Sequence, residues 1–192
     1  MSDENAPWIW LRGDVAGLGP IREDLLETYW RLDQQVSTIV GYNRQSPQPM
    51  RTTRAILIDG GSSDEIRFTI YDVTQEPTVP VGVAKLAMDT SRGNAEYIVS
   101  MDPDHHGRGI GTEATRLVLD WAFHVANMAC VWLTVLEPNA GAIRAYEKAG
   151  FKRQGIRRNS NVWLGQRVNE VLMDALPEEF EGPSQVKQMF QG

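Results

Sequence analysis

The chain has 192 residues, a length that fits one domain with a sizeable core. Its hydrophobic fraction of 42% and charged fraction of 23% are those of a globular protein, and no apolar run is long enough to span a bilayer. The formal net charge of −6 argues against general nucleic-acid binding and fits either a cationic substrate or plain solubility. A single cysteine, Cys130, excludes an internal disulfide, and the acidic start, residues 1–5, lacks the basic residues of a signal peptide. These features predict a cytoplasmic protein with no membrane partner.

The first third of the chain predicts a strand, a turn and a helix. Residues 8–12 are apolar enough for a strand, residues 13–20 predict a glycine-rich turn, and residues 21–36 place apolar side chains on one helical face. Residues 43–54 show no clear period and predict a loop, with or without a short helix. The apolar run 55–58 either ends that helix or forms a short strand.

The rest of the chain predicts a meander followed by alternating helices and strands. Strands are predicted over 67–71, 81–88 and 95–101, and their short connections favour antiparallel pairing. Further elements are a helix from Thr112, a buried strand over 131–136, a helix over 139–149 that ends at Gly150, and strands over 151–156 and 168–173. The polar residues 178–191 predict a short helix or no regular structure. We therefore expect one domain, residues 1–176, and a C-terminal tail, residues 177–192.

The most informative stretch joins the strand 95–101 to the helix through a glycine-rich turn. That turn contains His105-His106-Gly107-Arg108-Gly109-Ile110-Gly111-Thr112. Three glycines let the main chain approach an anion closely, and the helix that follows directs its first N–H groups and its positive dipole end at that anion. The turn predicts a phosphate-binding site, although such turns are more often structural. It lacks the ending of a Walker loop, and the antiparallel strands before it argue against a Rossmann fingerprint.

A second pattern begins at Asn139, which is a good helix N-cap residue. Ala142, Tyr146 and Ala149 follow at helical spacing on a common side. Tyr146 fits two interpretations, a core aromatic residue with a satisfied hydroxyl or a proton donor at a cleft.

Together the two stretches resemble the GNAT superfamily of acyl-CoA-dependent N-acyltransferases. Gly109 and Gly111 match the glycines of the family's Gln/Arg-x-x-Gly-x-Gly/Ala pattern, and the run from Asn139 to Phe151 matches its second motif at the expected distance. The starting residues 17–24 and the ending residues 171–173 resemble the branch of ribosomal-protein N-terminal acetyltransferases and antibiotic acetyltransferases. The resemblance covers about residues 8–176. His106 departs from the pattern, because the family usually has Gln or Arg at that position.

The resemblance implies an α/β fold with a mixed, largely antiparallel central sheet, flanked by helices and splayed at the acyl-CoA cleft. It implies acetyl-CoA as the cosubstrate. The pantetheine arm would pair with the backbone of Val99, Ser100 and Met101, and Asn139 would contact that arm. The pyrophosphate would bind the turn, through the backbone of Gly107, Arg108, Gly109, Ile110, Gly111 and Thr112. Arg108 either adds charge there or is a solvated loop residue.

The resemblance also implies the catalytic roles. Tyr146 would protonate the leaving thiolate, and a backbone N–H of the splayed strand would stabilise the oxyanion. The acceptor amine has a reference pKa of about 10.4 and must lose a proton. Glu96 is the predicted base or ammonium-orienting group, and the competing interpretation is a carboxylate that faces solvent or forms an ion pair. Glu137 is an alternative base in a predicted loop, Cys130 fits a structural thiol better than an acyl-carrying one, and no metal site is expected.

The acceptor site is expected between the first helix and about residue 50, where Trp30, Asp33 and Tyr42 lie, although Trp30 also fits a core position. The predicted function is transfer of an acetyl group from acetyl-CoA to a primary amine of a small molecule or peptide in a direct ternary complex. One alternative is an enzyme that transfers a succinyl or malonyl group. Two others are a non-catalytic sensor that binds acyl-CoA and a protein whose glycine-rich turn binds an ordinary nucleotide. The resemblance also allows a homodimer.

Overall fold

We describe residues 7–42 and 44–191 in a computed structural model. The acidic residues 1–5 on which the signal-peptide expectation depends lie outside the described residues. No helix in the described ranges has both the length and the apolar character needed to cross a membrane.

Within residues 7–42 and 44–191 the sheet has eight strands, in the spatial order β1-β2-β3-β4-β5-β6-β8-β7. Every neighbouring pair is antiparallel except β5 and β6, which are parallel. The strands are β1 (Leu11–Arg12), β2 (Ala16–Pro20), β3 (Glu65–Asp72), β4 (Val79–Asp89), β5 (Asn94–Met101), β6 (Cys130–Leu136), β7 (Lys152–Trp163) and β8 (Gln166–Ala175). The mixed, largely antiparallel α/β fold and the predicted meander of β3, β4 and β5 are therefore confirmed.

Helices flank this sheet in the order α1 (Leu26–Gln34), α2 (Val36–Gly41), α3 (Met50–Arg54), α4 (Ile110–His124), α5 (Ala140–Ala149) and α6 (Gln185–Gln188). The single helix predicted over 21–36 is interrupted, because Gln35 adopts an extended conformation between α1 and α2. Residues 55–59 continue α3 as a π-helical turn, so the helical alternative for this run is the one the chain adopts. The tail contains the short helix α6.

The prediction of a glycine-rich turn over residues 13–20 is wrong for its second half, which is strand β2. Gly17 and Gly19 occur in this strand because neighbouring atoms leave no room for a side chain, and not because the chain turns. A Cβ atom on Gly19 would lie 2.3 Å from the carbonyl oxygen of Trp8, and one on Gly17 would lie 2.9 Å from the side chain of Val73. Glycine in a strand marks such close contacts as well as turns, and the sequence alone does not separate the two.

Strand β5 separates two layers of the molecule. Tyr97 faces α4, where its hydroxyl lies 2.9 Å from that of Thr115. Ile98 and Ser100 have the opposite parity and line a pocket with residues of α1 and α3. Ala114, Val118 and Ala122, spaced four residues apart along α4, are fully buried in the core. The main hydrophobic core lies between the sheet and α4.

A buried carboxylate holds the C-terminal tail against α4. Asp120 is 2% exposed and accepts hydrogen bonds from the backbone N–H groups of Gln185 (2.7 Å) and Val186 (3.2 Å) and from the hydroxyl of Ser184. Its other neighbour is Nδ1 of His124, at 2.7 Å. Asp120 thus binds the first N–H groups of α6, which have no acceptor within their own helix.

Replacement of Asp120 by Ala should lower the free energy of unfolding by about 2–4 kcal/mol, because it leaves two buried backbone donors without an acceptor. It should also release the tail for limited proteolysis before the rest of the chain is cut. Urea denaturation and a protease time course measure the two effects. Asp104→Ala, at an exposed carboxylate, is the matched control and should change stability by less than about 0.5 kcal/mol. Equal midpoints for Asp120→Ala and the control would contradict this role.

Candidate active site

A gap opens in the sheet between β5 and β6. The two strands pair at three positions, from Asn94–Cys130 to Glu96–Trp132. Over residues 97–101, β5 stays paired with β4 but has no strand partner on its other side within the described ranges. The sheet is therefore splayed where the resemblance places the acyl-CoA cleft.

The backbone of β5 presents alternate residues to this gap. The N–H of Asp102 donates to the carbonyl of Val81 on β4 at 2.8 Å, so residues of the same parity as Asp102 direct their backbone groups towards β4. Val99 and Met101 have the opposite parity and direct their N–H and C=O groups into the gap. Of the three residues predicted to pair with a pantetheine arm, the backbone of Ser100 points away from the gap, and its side chain lines the pocket described below.

The glycine-rich turn ends at the first turn of α4, close to the open end of the gap. Gly107 and Gly109 have φ values of +77° and +83°, a region that favours glycine, and Gly109 is the residue that begins the helix. A Cβ atom on Gly111 would lie 3.0 Å from the sulfur of Met101. The first N–H groups of α4, from Ile110 onward, have no acceptor within the helix and form a suitable site for an anion.

The side chains of His106 and Arg108 in this turn are both exposed. The guanidinium of Arg108 lies 4.0 Å from the buried carboxylate of Asp72. Asp72 also accepts hydrogen bonds from Thr74 and Gln75, which hold the pKa of its carboxyl below the usual range against the opposing effect of burial. Arg108 is thus already placed next to an anion of the chain.

Helix α5 borders the gap and carries the predicted proton donor. Asn139 caps this helix, because its Oδ1 accepts a hydrogen bond from the N–H of Ala142 at 3.1 Å, and Gly150 ends it with a φ of +117°. The ring of Tyr146 packs edge-to-face against Tyr97 of β5, with ring centroids 6.2 Å apart. Burial raises the pKa of Tyr146 to about 12, so its phenol stays protonated at neutral pH.

Glu96 lies in the last residue pair before the gap opens. It stands opposite Trp132 of β6 and Ala87 of β4 and is half-buried. Its side chain shares a face of β5 with Ile98 and Ser100.

The two other candidate catalytic groups lie away from this position. Glu137, the alternative base, is exposed in the turn after β6 and accepts a hydrogen bond from Asn169 at 2.8 Å. Cys130 lies at the opposite end of β6 from the open gap, and burial raises the pKa of its thiol.

A pocket of about 340 Å³ lies on that face of β5, under α1 and α3. Two of the three residues named for the acceptor site, Asp33 and Tyr42, line it. Trp30 is not among the lining residues, since its indole N–H donates to the carbonyl of Gln48 at 2.9 Å, which leaves Trp30 in a structural role.

Tyr42 connects this pocket to the gap. It follows α2, lines the pocket and donates a hydrogen bond from its hydroxyl to the carbonyl of Val99, one of the gap-facing backbone groups. The pocket and the gap therefore meet at Tyr42.

Two basic residues on the floor of the pocket, Arg67 and Lys85, are not predicted from the sequence. Arg67 of β3 and Lys85 of β4 stand opposite one another in the sheet, and Lys85 stands opposite Ile98 of β5. The alternation of β3 and β4 shows which side chains share a face, but the register that brings these two residues together is a tertiary feature.

Comparison with known proteins finds a match to a protein-family model and to several curated relatives. Residues 23–151, more than half of the chain, match the family model "Acetyltransferase (GNAT) family". The chain is 41% identical over 76 residues to a probable N-acetyltransferase, YjcK, of Bacillus subtilis, a stretch that is 38% of this chain and 42% of that protein. It is 34% identical over 81 residues to the [ribosomal protein bS18]-alanine N-acetyltransferase of Escherichia coli, covering 42% of this chain and 53% of that enzyme. The chain thus spans about half the length of the curated relatives it matches.

The fold is also that of a solved structure. The crystal structure of spermidine N-acetyltransferase from Vibrio cholerae in complex with CoA and spermine superposes with a TM-score of 0.77, over 88% of this chain and 99% of that one, at 18% identity. The match to the family model includes both the glycine-rich turn and the whole of the second motif, from Asn139 to Phe151. The chain therefore belongs to the GNAT acetyltransferase family, whose members take their acetyl group from acetyl-CoA.

Proposed function

We propose that this protein transfers an acetyl group from acetyl-CoA to a primary amine of a small molecule or peptide, directly within a ternary complex. The observation that carries the proposal is the gap beside β5, with a glycine-rich helix start at its open end, Tyr146 on its wall and a separate pocket that meets it at Tyr42. A gap of this kind accommodates an extended acyl arm, and the pocket accommodates a second substrate.

In the proposed complex the pyrophosphate binds the backbone N–H groups of residues 107–112, and the pantetheine arm extends the sheet along Val99 and Met101. A gap-facing N–H would donate to the thioester oxygen and stabilise the negative charge that develops there. Asn139 caps α5 through Oδ1 and would thereby fix the first turn of this helix beside the pantetheine arm.

Tyr146 would donate a hydrogen bond to the sulfur as the bond between carbonyl carbon and sulfur breaks. Its pKa of about 12 lies above the reference value of about 8.5 for a thiol, so the phenol keeps its proton and stabilises the departing thiolate by hydrogen bonding, and the thiolate takes its proton from solvent. An ammonium has no lone pair, so it must lose one proton before its nitrogen attacks the carbonyl carbon. Glu96 would orient the ammonium and accept this proton, either directly or through water. Once the nitrogen has bonded to the carbonyl carbon it loses a second proton, which passes to solvent.

A different acyl donor, such as succinyl-CoA or malonyl-CoA, is the main rival within enzymes, and a non-catalytic acyl-CoA sensor is the rival outside them. A thiol-release assay with each of the three acyl-CoA compounds and a library of primary amines distinguishes them. Release of free CoA thiol from acetyl-CoA with at least one amine supports the proposal. Tight CoA binding without any release would support the sensor instead.

Replacement of Tyr146 by Phe should lower kcat by about 10²–10³-fold, because the departing thiolate loses its hydrogen-bond donor. Glu96→Gln should lower kcat/KM and shift its rise to higher pH, because the amine must then lose its proton without help. Both variants should keep the acetyl-CoA affinity of the wild type, measured by calorimetry. Phe151→Leu, which alters the other ring beside Tyr146, is the control for packing. Equal turnover of Tyr146→Phe and wild type would remove Tyr146 from the mechanism.

Replacement of Gly109 by Val should abolish measurable CoA binding, because a β-branched residue is strained at a φ of +83° and the start of α4 would be displaced. His106→Ala should change CoA affinity by less than about threefold, since the anion site depends on the backbone of the turn. Calorimetric titration with CoA measures both, with circular dichroism to confirm that the variants fold. A large loss of affinity in His106→Ala would show that the side chain, and not the backbone, binds the pyrophosphate.

A further inference from the structure

The floor of the acceptor pocket consists of side chains from three adjacent strands. Arg67, Lys85 and Ile98 stand side by side across β3, β4 and β5, and the next row along the strands contains Val83 and Ser100. Glu96 lies on the same face, diagonally adjacent to Lys85. Diagonal neighbours of this kind are about 7–8 Å apart, so Lys85 and the proposed base lie within the span of one small molecule.

The pocket carries an excess of positive charge. Three cations line it, namely Arg44, Arg67 and Lys85, whereas Asp33 is the single carboxylate among the described residues of its lining. Asp33 pairs with Arg44 at 3.0 Å. Glu65, just outside the lining, accepts hydrogen bonds from both Arg67 and Lys85, so one carboxylate is shared between two cations. Three cations thus share two carboxylates, which leaves about one positive charge on the pocket floor. Glu96, the proposed base, lies on the same face outside the lining and is left out of this count, because the ammonium of the acceptor would pair with it.

Two of these cations also have unused donors. The Nε–H groups of Arg44 and Arg67 are shielded from solvent and have no acceptor in the described part of the chain. The hydroxyl of Thr53, a residue that is 2% exposed and lines the same pocket, is likewise unpartnered there. Buried donors without acceptors are destabilising, so a ligand that brings an acceptor to this position would bind favourably.

Apolar side chains make up a large part of the lining. Leu32, Ile56 and Leu57 line it from the helical side, and Val83 and Ile98 line the floor beside the cations. At about 30 Å³ for each water-sized unit, 340 Å³ holds a ligand of about a dozen non-hydrogen atoms.

We infer that the acceptor is a small amine that also carries a carboxylate, an inference that rests on the proposed acetyl transfer. Lys85 and Arg67 bind this carboxylate, while the amine lies at Glu96. A polyamine fits this pocket poorly, because the ammonium groups that are not acetylated would lie beside uncompensated cations. A carboxylate supplies the missing negative charge and acceptors for the unused donors, and an apolar body fits the walls.

The test compares amines in matched pairs that differ only in the carboxylate. The pairs are phenylalanine with phenethylamine, leucine with isopentylamine, γ-aminobutyrate with propylamine and ε-aminocaproate with pentylamine, and spermidine serves as the polycation. Thiol release from acetyl-CoA gives kcat/KM for each amine. We expect at least a tenfold preference for the acid in one or more pairs and for that acid over spermidine. A preference for the decarboxylated partners or for spermidine would overturn the inference and leave the proposed acetyl transfer intact.

Substitution of the floor identifies the residues that cause the preference. Lys85→Met keeps the length of the side chain and removes its charge, and it should reduce the ratio of kcat/KM between acid and decarboxylated amine at least tenfold. Lys148→Met, at an exposed lysine on α5 outside the pocket, is the matched control and should leave that ratio unchanged. An unchanged ratio in Lys85→Met would remove Lys85 from carboxylate binding.

A binding measurement separates this inference from the proposed function. Isothermal titration of the wild type with the same acids and amines, in the presence of CoA, reports the carboxylate site without any chemistry. Acids that bind more tightly than their decarboxylated partners, and lose this advantage in Lys85→Met, would support the carboxylate site even if no thiol were released. In that case the proposed acetyl transfer would fail and the inferred ligand class would stand. Equal binding of acids and decarboxylated amines would overturn the inference whatever the turnover.

Discussion

The short parallel pairing of β5 and β6 is the constraint on which the rest of the site depends. The two strands part after Glu96 and Trp132, which leaves the gap-facing backbone groups of Val99 and Met101 without a strand partner. Unpaired backbone groups in a protein interior are costly, so a gap of this kind is stable only with solvent or a ligand in it. An extended acyl arm with amide groups of its own is a suitable ligand, because it continues the hydrogen-bond pattern of the sheet.

In the proposed complex the same strand would bind the two substrates through different groups. Its backbone faces the gap at alternate residues, whereas the side chains of Glu96, Ile98 and Ser100 face the layer of α1 and α3. The donor would thus be bound mainly by main-chain groups, which any sequence supplies, and the acceptor by side chains, which a change of sequence alters. Such a division would let one fold accommodate proteins named for spermidine and for an alanine of ribosomal protein bS18.

The donor side of the molecule could be predicted from the sequence, because its determinants are local. The turn with Gly109, the cap Asn139 and the stop Gly150 act within a few residues, and the structure has each of them at a helix end. The acceptor side could be predicted only in part. Asp33 and Tyr42 follow from their positions within and shortly after the first predicted helix, but Arg67 and Lys85 meet through the register of distant strands. The glycines of β2 mislead for a similar reason, since the atoms that require them belong to residues elsewhere in the chain.

Tyr42 shows how the two halves of the site fit together. Its hydroxyl donates to the carbonyl of Val99, which is also a group that an acyl arm would use. A carbonyl oxygen has two lone pairs, so it accepts hydrogen bonds from Tyr42 and from an amide N–H of the arm at the same time. Tyr42 can therefore keep its place when the donor binds, with its ring as a wall between the arm and the acceptor pocket. The arginine over this ring, Arg44, pairs with Asp33, so the wall is held from the acceptor side by a cation–π contact and an ion pair.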